Sequence, residues 1–302
     1  MQRSSPGDVP GRAIAFACHR HCRGLARECR FARTPRARSQ DLTARRVSAF
    51  SGVSLLPDYS RQAEIYDETR AASPSVLRPL REGLNGAPGS RLADIGGGTG
   101  NYALALKREG WDPVVVDRSP EMLERAAAKG LETIEADAQR LPFDDESFDA
   151  AMMLSMLHHV EDRGAALAEA RRILRSGGRL VLKGFTGEDV ASLWIVDYFP
   201  SSRQWIEATH PPLAAFLEEL PGARLINFEF EDLEDASLAA LSADPERVLK
   251  AAESGATSYF ERMRRDHADE LGAGLTQLRE DIAAGRVPRR SGTATVLSWT
   301  KP

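Results

Sequence analysis

Cysteine is absent from most of this chain. All three cysteines, Cys18, Cys22 and Cys29, lie within the first 48 of the 302 residues, and residues 49–302 contain none. Disulfide bonds therefore cannot stabilise the main part of the chain, which favours a reducing, cytoplasmic setting. No apolar run approaches the roughly 18 residues that a membrane helix needs, so we expect no membrane span.

The first 48 residues lack lysine and differ in charge from the rest. They hold 11 arginines and three acids, a net charge of +8, against −12 for residues 49–302. We expect residues 1–48 to be a disordered arginine-rich arm or a wrongly assigned translation start, and a transit peptide is a third interpretation. The spacing in CHRHC matches no zinc site, so no metal site is predicted. An acidic main part does not indicate a nucleic-acid partner.

Short apolar strands and helices alternate in the middle of the chain, which is typical of parallel βαβ units. We predict strands at 91–95, 113–117, 132–137, 148–154 and 179–185, and helices at 101–110, 119–130 and 161–178. Two further strands are predicted later, RLINFEF (224–230) and TATVLSW (293–299). The fold class is therefore α/β with a doubly wound sheet.

The stretch DIGGGTGN (94–101) joins the first strand to the first helix. Glycines permit positive φ angles and close approach of a ligand to the backbone, and a helix N-terminus attracts anions. The dinucleotide pattern fits only loosely, as Gly98, Gly100 and Ala103. The pattern D-x-G-x-G-x-G fits fully from Asp94. A carboxylate at this position suits a ligand with an ammonium group better than a pyrophosphate.

Two more acids end the next strands. A carboxylate at Asp117 can accept hydrogen bonds from two ribose hydroxyls. Asp137 could accept a bond from an adenine amino group, with the Ala138 N–H donating to the ring. A solvated strand-end acid and a turn cap are the simpler interpretations of the two acids. Three acids in register with a glycine turn nevertheless favour a nucleoside ligand.

These motifs resemble those of class I S-adenosylmethionine-dependent methyltransferases. The similar segments are LADIGGGTGNYALAL, VVVDRSPEMLERA, IEADAQRLPFDDESFDAAMMLSMLHHV and ARRILRSGGRLVLKGF. They are most similar to the small-molecule branch with the ubiquinone and menaquinone methylases (methyltransferase type 11). The resemblance implies a Rossmann-like seven-stranded sheet with an antiparallel last strand.

The resemblance also implies roles for particular residues. Gly96, Gly98 and Gly100 would hold the methionine part of S-adenosylmethionine, and Asp94 would lie near its ammonium group. Asp117 would bind the ribose, Met122 would pack near the adenosine, and Asp137 and Ala138 would recognise the adenine. Leu154 would line the sulfonium pocket. Tyr66 and Arg70, in YDETR, would close over the cofactor, or else lie on a plain surface helix. We expect residues 49–302 to form one methyltransferase domain, with a cofactor core at 90–186, lid segments at 49–89, 187–222 and 236–288, and late strands at 224–230 and 293–299.

The resemblance implies methyl transfer to O, N or C of a small-molecule acceptor. His158 and His159 follow the fourth strand and His210 lies in THPPL, so each is a candidate general base. In the family that the chain resembles, however, a histidine after the fourth strand is often structural, and the simpler interpretation of His210 is a loop histidine beside two prolines. Trp194, Tyr198, Phe199 and Trp205 could stack on the acceptor or pack the lid. The alternatives are an NAD-dependent oxidoreductase and a cofactor-binding partner protein without catalysis.

Overall fold

Seven strands form a single sheet in the computed structural model, which describes residues 71–184, 186–232, 237–254 and 257–302. The strand order is β3-β2-β1-β4-β5-β7-β6. The strands are β1 Arg91–Ile95, β2 Asp112–Asp117, β3 Glu132–Glu135, β4 Phe148–Leu154, β5 Leu174–Gly184, β6 Arg224–Glu229 and β7 Thr293–Thr300. Strands β1 to β5 pair in parallel, whereas β7 is antiparallel to both β5 and β6. The predicted fold class and its antiparallel last strand are confirmed.

The described helices lie around this sheet and in the segments between its late strands. They are α1 Pro74–Leu84, α2 Asn101–Lys107, α3 Pro120–Ala128, α4 Arg163–Ile173, α5 Gly187–Ala191, α6 Ser202–Thr209, α7 Leu213–Glu219, α8 Leu238–Leu241, α9 Pro245–Ser254, α10 Ser258–Asp266 and α11 Ala268–Ala283. Short 3-10 turns occur at Leu157–His159 and Trp194–Tyr198. None of these helices has the length and apolar character needed to cross a membrane.

The central strands are apolar on both faces over most of their length because both faces of the sheet are covered. Leu92 and Val115 point into one core, whereas their neighbours Ala93 and Val116 point into the other. Helix α1 covers the first face at strands β5, β6 and β7, and the helices after β5 other than α7 extend the same core. Helices α4 and α7 contribute to the second core. This arrangement explains why the parallel strands do not alternate between apolar and polar residues.

Local chemistry sets several helix boundaries. Ser119 caps α3, because its hydroxyl accepts a bond from the Met122 N–H at 3.3 Å. The helix predicted at 161–178 ends at Ile173 instead, and β5 begins at the next residue. The glycine pair lies within β5, where the pairing with β4 shifts register. A side chain at Gly178 would meet the carbonyl oxygen of Arg175 at 2.8 Å, so the pair serves a strand irregularity and not a helix stop.

The chain changes direction across the sheet between β1 and β4. From β1 it proceeds outward through β2 and β3, and then returns to place β4 on the other side of β1. In sheets of this kind, ligands bind beyond the carboxyl ends of the strands at such a switch point. The glycine turn follows β1, and the 3-10 turn with His158 and His159 follows β4. The fold therefore brings the predicted site residues to one edge.

Candidate functional site

The glycine turn wraps closely around the end of β1. Gly96, Gly98 and Gly100 all have positive φ angles, at 70°, 55° and 71°. A side chain at Gly96 would meet Met156 carbons at 2.8 Å. A side chain at Gly97 would lie 2.5 Å from the Asp94 carboxylate. Glycine is therefore required at position 97 by close contact, a constraint that the D-x-G-x-G-x-G pattern alone did not reveal.

Asp94 is a buried carboxyl group beneath this turn. Only 2% of the residue is exposed, and its pKa is raised to about 8 by burial and by the nearby charge of Asp117. Among the residues that the structure describes, none donates a hydrogen bond to it. A buried carboxyl group that lacks such donors is costly unless a ligand supplies one. An ammonium group would fit this need, whereas a pyrophosphate would not.

Asp117, at the end of β2, connects two neighbouring turns. Its Oδ2 accepts the Gly98 N–H at 2.9 Å, and its Oδ1 accepts the Ser119 N–H at 3.0 Å. Each carboxylate oxygen has a second lone pair that can accept another bond. The backbone thus orients a carboxylate at the strand end, as recognition of vicinal hydroxyls requires.

The residues predicted for the adenosine end lie on the same side of the sheet edge. Met122 is buried in α3, with its sulfur 4.0 Å from the position that a Gly98 side chain would take. Strand β3 ends at Glu135, so Asp137 lies in the following turn and not at the end of the strand as predicted. There its carboxylate accepts the Gln139 N–H at 2.9 Å, and Ala138 is buried beside it. Asp137 therefore caps this turn.

A pocket of about 480 Å³, counting space open to solvent, lies at the glycine turn. Its described lining, which we call the glycine-loop pocket, comprises Ala71, Asp94, Gly96, Gly97, Thr99, Asn101, Tyr102, Leu154, Ser155 and Lys183. Of the predicted residues, Asp94, Gly96 and Leu154 line it directly.

Sequence reasoning missed Ser155 and Lys183. Both line the glycine-loop pocket and also a second one, which we call the apolar pocket. The described lining of the apolar pocket is Ser155, Met156, Leu157, His158, Leu182, Lys183, Gly184, Thr186, Pro211, Phe216 and Leu297. A signal for Lys183 was present, since it is the one charged residue inside the otherwise apolar run LVLKGF at a strand's carboxyl end.

The three predicted histidines come together in space. The ring centroids of His158 and His159 are 3.8 Å apart, and the ring of His210 stacks on His158 at 5.1 Å. Only His158 lines the apolar pocket. Burial lowers the pKa of His210 to about 4, with smaller contributions from Arg163 and Arg262, so His210 is neutral at pH 7. No group of acids, histidines or cysteines suited to a metal ion occurs in the described part of the chain.

The four aromatics predicted for the lid pack against residues of the helical segments that follow β5. Trp194 is buried and donates its indole N–H to the Ser242 carbonyl oxygen at 3.0 Å. Phe199 is fully buried beside Tyr259 and Phe260. Tyr198 donates its hydroxyl hydrogen to the Asp281 carboxylate, and the ring of Trp205 packs against Tyr259 and the guanidinium of Arg262. None of the four is among the described lining residues of either pocket, which favours the packing interpretation.

Tyr66 and Arg70 lie outside the described residues, as do residues 1–48. The glycine-loop pocket begins, in the described chain, at Ala71. The predicted closure of Tyr66 and Arg70 over the cofactor therefore stays a prediction.

Comparison with known proteins identifies relatives of this site. The methyltransferase domain family matches residues 93–182, from β1 through β5. The demethylmenaquinone methyltransferase of Mycolicibacterium paratuberculosis (strain ATCC BAA-968 / K-10) is 39% identical over 109 residues, which are 36% of this chain and 47% of that protein. The chain thus spans about half the length of the curated relatives it matches.

Solved structures share the fold over a longer region. A protein of Anabaena variabilis ATCC 29413, described as a methyltransferase from an antibiotic biosynthesis pathway, aligns with this chain with a TM-score of 0.65 and 26% identity. The alignment covers 77% of this chain and 99% of that protein. The MccD protein aligns with a TM-score of 0.51 over 76% of this chain, and at 18% identity it supports the fold alone.

Proposed function

We propose that this chain, whose residues 93–182 belong to the methyltransferase domain family, is an enzyme that transfers a methyl group from S-adenosylmethionine to a small molecule. The family match and the methyltransferase relatives confirm the predicted resemblance and favour it over an NAD-dependent oxidoreductase. The observation that carries the proposal is Asp94, a buried carboxyl group beneath the glycine turn. No described residue donates a hydrogen bond to this carboxyl group. The cysteine-free main part supports a cytoplasmic setting.

The described residues suit such a cofactor along its whole length. We assign Asp94 to the ammonium group and the turn with Gly96, Gly98 and Gly100 to the methionine chain; Gly97, in the same turn, also lines the glycine-loop pocket. Asp117 is assigned to the ribose hydroxyls, since its carboxylate is already held by two N–H groups. We assign the adenine to Met122, Asp137 and Ala138, as predicted from the sequence. Asp137 would exchange its present turn contact for the base.

When bound, the cofactor supplies an electrophilic methyl group on a sulfonium. The protein then contributes alignment and exclusion of water, which lower the barrier without acid or base chemistry on the donor. Leu154, at the end of β4 in the glycine-loop pocket, provides an apolar wall there. His158 is the proposed base for acceptors that bind protonated, because it lines the apolar pocket. His210, neutral and stacked on it, would position its ring.

The test is binding of S-adenosylhomocysteine, measured by isothermal titration calorimetry. We expect Asp117→Ala to weaken binding by about 1–3 kcal/mol, because a carboxylate that accepts bonds from buried hydroxyls is lost. Asp112→Ala is the matched control, since Asp112 begins the same strand and forms an exposed ion pair with Arg91. Its affinity should equal that of the wild type.

Three outcomes separate the candidate functions. Binding of NAD without S-adenosylhomocysteine would overturn the proposal in favour of an oxidoreductase. Equal affinity of Asp117→Ala and wild type would remove Asp117 from the site. Tight binding without methyl transfer to any member of a broad acceptor panel would favour a cofactor-binding partner protein.

A further inference from the structure

The apolar pocket lies at the edge of the second core, next to the glycine-loop pocket. Leu182 and Leu297 are buried strand residues of that core, and Phe216 of α7 packs against it. The two pockets meet at Ser155 and Lys183, which line both of them. An occupant of the apolar pocket is therefore adjacent to a cofactor bound at the glycine turn.

The lysine in this lining already has partners within the chain. Lys183 donates a hydrogen bond from its Nζ to the Ser155 Oγ at 3.1 Å, and this Nζ lies 5.6 Å from the centre of the Phe230 ring. Phe230 belongs to the core that helix α1 covers, whereas Leu182 and Leu297 belong to the other core. The described lining of the apolar pocket contains no carboxylate. The surface that it offers to an occupant is therefore mostly apolar.

Contacts within the chain hold the wall of the apolar pocket that lies between α6 and α7. The Pro211 carbonyl oxygen accepts the Gly187 N–H at 3.2 Å. The ring of His210, just before this proline, stacks on His158 with 5.1 Å between the ring centroids. Pro211 and His158 both line the apolar pocket, on opposite sides of this stack in the sequence. The pocket is thus formed by the fold itself, as is usual for small-molecule sites.

Met156 separates the apolar pocket from the glycine turn. It lines the apolar pocket and lies against Gly96, which lines the glycine-loop pocket. A side chain at Gly96 would meet the Cβ and Cγ of Met156 at 2.8 Å and its Cε at 2.9 Å. Ser155, with a φ angle of 54°, stands between Leu154 in the glycine-loop pocket and Met156 in the apolar pocket. Methionine is unbranched and flexible, so the side chain at this boundary can adapt to neighbours of different shape.

We propose that the apolar pocket binds the methyl acceptor through an uncharged, apolar body, and that Met156 determines which acceptor bodies fit. This inference rests on the proposed methyl-transfer function and deepens it by naming the acceptor class. Met156 is then a specificity-determining residue that contacts the acceptor on one side and the glycine turn on the other. The atom that receives the methyl group extends past Met156 toward Leu154 and Ser155, where the two pockets meet.

Nuclear magnetic resonance of isotope-labelled methionine methyl groups tests this site directly. Met156 reports on the apolar pocket, Met122 on the proposed adenine site, and Met263, buried in α10 outside both described linings, is an internal control. The full chain, saturated with S-adenosylhomocysteine, is titrated with toluene, benzoate and benzylammonium, which share one ring but differ in charge. We expect toluene to shift the Met156 signal in a saturable way and to leave the Met263 signal unchanged. Both ions should bind at least about tenfold more weakly, because a charge loses its hydration in an apolar pocket.

Variants of Met156 show whether this side chain limits the acceptor body. Met156→Leu keeps the volume and identifies the Met156 signal by its loss. Met156→Ala frees space toward Gly96, so we expect the affinity for naphthalene relative to toluene, measured by calorimetry, to rise by about threefold to tenfold. The matched control is Leu225→Ala, which shortens a partly exposed apolar side chain on β6 outside both described linings and should leave this ratio unchanged. Melting curves report folding, and Met156→Phe should lower the ratio if Met156→Ala does not fold.

Failure of this inference is distinguishable from failure of the proposed function. If the wild type does not bind S-adenosylhomocysteine, the proposed function is overturned. If it binds, and toluene leaves the Met156 signal unmoved or an ion binds as tightly as toluene, this inference alone is overturned. Toluene binding that S-adenosylhomocysteine abolishes would also overturn it, because toluene would then occupy the glycine-loop pocket. An unchanged naphthalene-to-toluene ratio in the folded Met156 variants would overturn the role of Met156.

Discussion

At the residue scale, Asp94 combines a cost to stability with a proposed binding role. Burial raises its pKa to about 8, so the folded protein holds this proton at neutral pH. In the unfolded chain the same carboxyl group has an ordinary pKa of about 4. Between these values only the folded state is protonated at this site, so the free energy of unfolding falls as the pH rises from about 4 to about 8. A bound ammonium group would offset this cost.

Asp94→Asn tests this balance. The amide stays neutral, so we expect the ligand-free variant to match the wild type in melting temperature near pH 5 and to exceed it near pH 8. The difference should be about 2–4 °C for each kcal/mol of unfolding free energy that the wild type loses over this pH range. The same variant should bind S-adenosylhomocysteine more weakly, because an amide does not neutralise an ammonium group. Thermal melting at the two pH values, with and without ligand, measures both effects.

Asp149→Asn is the matched control for this variant. Asp149 is also buried, but it accepts the Arg91 N–H at 2.9 Å and pairs with Arg175 at 2.5 Å. Its replacement should lower the melting temperature at both pH values. A ligand-free Asp94→Asn protein no more stable than wild type near pH 8 would contradict the account of Asp94.

At the element scale, β4 is bounded by two residues in strained conformations. Ser155 follows it with a φ angle of 54°, and Glu146 precedes it, in the turn before Phe148, with a φ angle of 56°. Ser155 lines both pockets, whereas Glu146 is exposed and remote from them. Its N–H donates to the Arg172 carbonyl oxygen at 3.1 Å, a bond that any residue could make. The strain at Glu146 therefore has no function in the described site.

Glu146→Gly is expected to stabilise the turn relative to Glu146→Ala. Both variants lose the ion pair with Lys301 at 3.5 Å, an exposed contact of little energetic value. Only glycine relieves the left-handed strain, which costs about 1–2 kcal/mol, and the greater freedom of the unfolded glycine variant offsets about half of this gain. Urea denaturation of the two variants measures the difference. Equal stability, or a less stable glycine variant, would contradict the strain assigned to this turn.

At the scale of the whole molecule, the sheet carries both pockets at one edge. The glycine-loop pocket takes residues at the carboxyl ends of β1, β4 and β5, and the apolar pocket adds residues from β7 and helix α7. The aromatics Trp194, Tyr198, Phe199 and Trp205 pack among the helices after β5, in the same core that covers one face of the sheet. All of these described elements come from residues 71–302.

Removal of residues 1–48 is therefore expected to leave both the melting temperature and the affinity for S-adenosylhomocysteine unchanged. The strands, the two cores and the described pocket linings all lie after this stretch. Calorimetry and thermal melting of the shortened chain beside the full chain provide the measurement. A large loss of stability would show that residues 1–48 contribute to the fold. Loss of salt-dependent RNA or DNA binding would point to a nucleic-acid partner, which we do not expect.

Much of the architecture could be predicted because it depends on local patterns. Apolar runs marked β1, β2 and β4 closely, and Ser119 and Pro120 marked the start of α3. The end of α4 could not be predicted in this way. The glycine pair 177–178 is also a common helix stop, and only the pairing with β4 decided that it belongs to a strand.

The sequence by itself determined the order of strands and helices, the glycine turn with Asp94 before it, and the placing of acids after successive strands. These features depend on neighbours along the chain, which a linear pattern records. The tertiary structure alone decided that Lys183 meets Ser155 and that His210 stacks on His158. Such contacts join residues 28 and 52 positions apart, and they arise from strand order and packing, which no local pattern contains. It also decided that Asp94 is buried, because burial depends on every element that covers the strand end.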